Sequence, residues 1–88
     1  MNQRDLFYDL VDPVKNPMAP SVVQRCVDCI RAVYEEDGND ERCHGMEDAL
    51  RRAVLTCIAT EEWSGGTCWA LADIALKTDA IDFARWCA

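Results

Sequence analysis

Between Met46 and Ile58 the apolar residues fall at Met46, Ala49, Leu50, Ala53, Val54, Cys57 and Ile58. Steps of three and four trace one face of an α-helix. Glu47, Asp48, Arg51 and Arg52 are read as lying off that stripe. So amphipathic a helix is stable only when packed, and the rest of the chain is expected to cover it.

The same periodicity divides the remaining sequence. Asn2 is predicted to cap a short first helix, with Asp5 favourable near its N-terminus. Leu6, Phe7, Leu10 and Val11 form its docking edge, and Asp12-Pro13 ends it. Residues 12–20 hold all three prolines and read as an extended connector. Ser21, with Gln24 three residues on, is expected to open a second helix through a capping box. Its stripe is Val22, Cys26, Cys29, Ile30 and Val33, widened by Val23 and Tyr34. Gly38-Asn39 stops it. Asp40 to Gly45 reads as a polar connector, or as the first turn of the third helix with Asp40 as its cap. That third helix runs to about Thr60.

Trp63-Ser64-Gly65-Gly66 then reads as a turn, since glycine pairs weaken helices. A fourth helix starts at about Thr67, with Cys68, Leu71, Ala72, Ala75 and Leu76 on one face. Trp69 and Ile74 fall off that face and are expected to meet further neighbours. Lys77-Thr78-Asp79 allows a break or a bend. Asp79 is expected to cap a last turn or two carrying Ala80, Phe83, Ala84 and Cys87. Alternation of apolar and polar positions never persists as a strand requires. The predicted fold is all-α: a single domain over residues 1–88, built as a compact bundle of four to five short helices.

Composition sharpens the function classes. The chain is half hydrophobic and 28% charged, which suits a globular protein with a small core. Sixteen acids against nine bases give a net charge of −7. That balance argues against direct binding of nucleic acid or of an anionic membrane. No apolar run approaches the ~20 residues of a transmembrane helix. The segment MNQRDLFYDLVDP lacks the features of a signal peptide. The expected compartment is cytoplasmic, with the six cysteines mainly reduced.

Candidate chemistry is sparse. Cys26-Val27-Asp28-Cys29 has redox spacing, but it lies inside a predicted helix rather than at its N-terminus. Cys26, Cys29, Cys43 and His44 could supply a structural zinc site. Adjacent residues such as Cys43 and His44 do not easily face one ion, so buried thiols without a cofactor are the preferred reading. His44 is the only histidine, and no orienting third group for a Cys–His pair is identifiable. Gly65-Gly66-Thr67 lacks the lysine of a phosphate loop. Glu61-Glu62 reads as solvated surface. No enzyme activity is expected.

Two interaction features remain. Glu35, Glu36, Asp37, Asp40, Glu41, Glu47 and Asp48 face a single arginine, Arg42, and give this stretch a local charge of −6. The tryptophans Trp63, Trp69 and Trp86 are residues of the kind that anchor interfaces, or pack a small core.

The span CVDCIRAVYEEDGNDERCHGMEDALRRAV, residues 26–54, resembles the helical hairpin of small bacterial immunity-type proteins associated with polymorphic toxins. The matching residues are Asp28, Cys29, Arg31 and Val33, then Asp40 and Arg42, then Ala49, Arg52 and Ala53. Cys43 stands where that pattern has proline, and Trp63-Ser64-Gly65-Gly66 replaces its next alanine-rich helix. The resemblance implies a helical, non-enzymatic protein that binds and blocks another protein. Together with the charge, it leads to the expectation of an acidic inhibitor from a bacterium or phage. Its acidic stretch would cover a basic, nucleic-acid-binding type of site on a larger protein, while pairing with a second copy stays open.

Overall fold

Asn2 sets the first element, its side-chain oxygen accepting the Asp5 N–H at 2.8 Å. In the computed structural model, which describes residues 1–60 and 65–85, the helix α1 that it caps spans Gln3–Leu10. Phe7 and Leu10 are buried, and Leu6 and Val11 pack beside them, as the docking edge requires.

The connector is folded back rather than extended. The Asp12 carbonyl accepts N–H groups from Lys15 and Asn16 at 3.1 and 3.0 Å, and its carboxylate accepts that of Val14 at 2.9 Å. Asn16 donates to the Asp9 carbonyl at 2.8 Å. This turn drives Met18 wholly into the core, a burial that no periodic pattern announces.

Helix α2 spans Pro20–Asp37, starting two residues earlier than the Ser21 cap predicts. Ala19 holds the N-cap position without a side-chain bond, and Pro20 at the first helical position has no N–H to satisfy. Gln24 donates to Asp28 instead of closing a capping box. Val23, Cys26, Val27, Cys29, Ile30 and Val33 are all buried. So wide an apolar face reflects position: α2 touches α1, the two later helices and the turn that follows them. It is the hub, a place the sequence assigned to the third helix.

Gly38 ends α2 in the left-handed region at φ 61°, its N–H bonded to the Tyr34 carbonyl. A Cβ there would meet no atom within 4 Å, so the penalty for alanine is conformational alone. Gly38→Ala should lower stability by about 1 kcal/mol, read as a shift of the urea midpoint at unchanged slope.

Asn39, not Asp40, caps the next helix, accepting the Arg42 N–H at 2.9 Å. Helix α3 runs Asp40–Ala59, so the segment from Asp40 to Gly45 is helical and Cys43 joins the core. Met46, Leu50, Val54 and Cys57 are buried as the stripe predicts, and so is Glu47.

Helix α4 spans Gly65–Ala75 and begins with both glycines; Glu61 to Ser64 lie outside the described residues. Leu71 and Ala75 face inward, but Trp69 is 72% exposed, contrary to its expected role in packing. A short 3₁₀ helix, Leu76–Ala80, follows. Residues 81–85 then run without regular structure, where a last helical turn was expected. Ile81 and Phe83 plug into the core, Tyr34 donates to the Asp82 carbonyl at 2.9 Å, and its ring lies 6.1 Å from that of Phe83. The fold is an all-α bundle of four helices, without strands among the described residues. No helix among them is long and apolar enough to cross a membrane.

Candidate functional site

The α2–α3 junction carries the acidic stretch, and it sorts those acids into three kinds. Glu35, Glu36 and Glu41 are exposed, and no cation pairs with them among the described residues. Asp37 and Asp48 are exposed and partnered. Asp37 lies 2.6 Å from Arg42 and accepts the Asn39 N–H at 2.9 Å, which braces the turn. Asp48 stands 3.4 Å from the His44 ring.

Asp40 and Glu47 serve the interior. Half-buried Asp40 accepts the Ala84 N–H at 3.0 Å. Glu47 is only 1% exposed. It receives Arg85 in a fork, Nε to Oε1 at 3.0 Å and Nη2 to Oε2 at 2.9 Å, with Arg51 at 3.5 Å. Burial pushes the Glu47 carboxyl up. The hydrogen bonds from Arg85 and Thr78 and the charges of both arginines outweigh it, leaving the group below its ordinary value. Arg85 also donates to the carbonyls of Thr78, Ile81 and Phe83 at 2.7, 3.2 and 3.2 Å. Its guanidinium stacks 4.1 Å from the Phe83 ring. The exposed position expected for Glu47 is therefore corrected: it anchors residues 81–85. The sequence holds a signal for this, since Glu47 stands four residues after Cys43 and three before Leu50, on the buried face.

Beside the free acids, α1 and the α2–α3 turn enclose a hollow of about 150 Å³ whose lining includes Arg4, Glu36, Asp37 and Arg42. Arg4 and Arg42 also share a shallower depression with Tyr8, Asn39, Glu41 and Gly45. The surface is thus acidic with two arginines set among the acids, a detail that net charge alone conceals.

The proposed metal ligands do not converge. Cys26 and Cys29 lie in the body of α2 and Cys43 in that of α3, all three buried free thiols. No three His, Cys, Asp or Glu side chains among the described residues could hold an ion. Burial pushes Cys26 up to about 12, and burial with the charges of Asp37 and Asp40 pushes Cys43 up to about 11. Thiols so placed stay protonated at neutral pH and are poor nucleophiles. Neither the redox spacing nor the Cys43–His44 pair gains a reactive sulfur. Trp63 and Trp86 lie outside the described residues.

Comparison with protein-family models, with curated proteins and with solved structures finds no match.

Proposed function

We propose that this chain is a non-enzymatic acidic binding module of the inhibitor or immunity type. Its target is a basic site, of the kind that holds nucleic acid, on a larger bacterial or phage protein. One observation carries the reading: Glu35, Glu36 and Glu41 flank the Gly38 turn, exposed and without a cation partner among the described residues, while neighbouring acids are tied into the fold. Free carboxylates on a braced turn raise the rate of encounter with a cationic surface at little ordering cost. The resemblance of residues 26–54 to immunity-type hairpins supports the same class. A cytoplasmic setting accords with the buried free thiols of Cys26, Cys29 and Cys43.

The test is a triple reversal, Glu35→Lys, Glu36→Lys and Glu41→Lys, which leaves Asp40 and Glu47 to their structural bonds. Circular dichroism should be unchanged. Capture of a partner from host lysate should fall at least about tenfold, and capture by the unaltered protein should weaken as salt rises. Undiminished, salt-insensitive capture by the triple variant would exclude the reading.

A further inference from the structure

Leu55 on α3 is 64% exposed, Trp69 on α4 72%, and Leu76 just beyond it 56%. Trp69, Ala72 and Leu76 stand at helical spacing on one side. Helices α3 and α4 pack against each other, with Arg51 reaching Asp79 at 2.7 Å. Between them runs a groove of about 230 Å³ lined by Arg51, Val54, Leu55, Ala72, Ala75 and Leu76. Five of those six residues are apolar, and the exposed leucines rise on opposite lips.

The charge on this face differs from the rest of the molecule. Asp48, Arg51, Arg52 and Asp79 lie on or beside the groove and sum to zero in a chain of net charge −7. Exposed Arg52 has no acidic partner among the described residues. A basic ligand would find no excess of negative charge here, whereas another acidic chain could approach without the repulsion it meets elsewhere.

We propose that two copies of this chain pair through the α3–α4 groove about a two-fold axis running along it. Such an axis lays α3 of one copy over α4 of the other. Each Leu55 then meets the second copy's small Ala72, and each Leu76 descends toward the opposite α3. Arg52 faces the 3₁₀ turn that follows the second copy's α4 and carries Asp79, an acid 64% exposed at its side chain. One patch thus supplies knob, hole, cation and anion, which is the self-complementarity a two-fold interface requires.

Sedimentation equilibrium from about 1 mM down to about 1 μM tests this. Twice the 9.9 kDa chain mass is expected at the upper end. Leu55→Lys and Trp69→Ala change exposed positions, so helical circular dichroism should persist while each weakens the dimer at least about tenfold. The Glu35, Glu36, Glu41 reversal should leave the dimer intact, which separates this surface from the acidic turn. A monomer throughout the series would overturn the proposal, as would a dimer that neither Leu55→Lys nor Trp69→Ala weakens.

Discussion

Arg85→Ala should destabilise the protein by about 3 kcal/mol, because breaking the buried pair leaves the Glu47 charge with only Thr78 and the more distant Arg51 to compensate it. Glu47 is 1% exposed and the Arg85 side chain 32%, so the stranded group would be the buried carboxylate. The carbonyls of Thr78, Ile81 and Phe83 lose a donor at the same time. A loss of this size is a large fraction of a small domain's total stability. Arg85→Lys should recover little, since an ammonium cannot span both carboxylate oxygens and the surrounding carbonyls. Glu47→Met with Arg85→Met should recover most of the loss, because it removes both charges while keeping the volume.

The pH dependence gives that prediction a sign. In the unaltered protein the Glu47 carboxyl lies below its ordinary value. Its stabilising contribution is therefore full above the unfolded carboxyl range and is lost as pH falls through the folded value. In Arg85→Ala the hydrogen bonds and the charge of Arg85 are gone, so burial is opposed only by Thr78 and Arg51 and the carboxyl rises from its position in the unaltered protein. Protonation then relieves the variant, so the gap between the two proteins should narrow in acid. Urea unfolding at neutral pH and near the carboxyl range measures this; a gap that widens in acid would count against the account.

Phe7→Ala should cost about 3–5 kcal/mol, the range for removing a fully buried aromatic ring. Phe7 is 0% exposed and is the deepest anchor of an eight-residue helix. A helix that short does not persist without docking. The loss should accordingly include release of α1, with its amides exchanging faster in hydrogen-exchange measurements than those of α2. Tyr8→Ala is the control. Its ring touches Phe7 edge-on at 5.0 Å, but the residue is 46% exposed, so its effect should be far smaller.

Helical class and most helix positions were legible because their causes are short-range. Asn2 reaches three residues to cap α1, Gly38 stops α2 with its own backbone, and the stripe of α3 is a property of spacing. Errors arose where a distant residue sets the outcome. The start of α2 is a local exception: Ser21 looks like a cap, yet its neighbour Pro20 begins the helix. Trp69 looks like packing material and faces outward, while Met18 sits in a proline-rich stretch and is wholly buried. At the acidic turn, the sequence placed seven acids together without distinguishing them. Three have no cation partner among the described residues, and Asp40 and Glu47 are held by residues 44 and 38 positions away.

The sequence by itself determined that this chain is helical, where its first three helices form, and that an acidic segment joins the second to the third. Capping, left-handed glycine and apolar spacing act within a turn or two of chain. Only the tertiary structure decided that α2 is the hub, that Leu55, Trp69 and Leu76 share an outward face, and that Arg85 is the partner of Glu47. Burial depends on what approaches from elsewhere in the chain. A carboxylate enters the core only because Arg85, 38 residues on, arrives with two matched donors, and no local pattern around position 47 records that arrival.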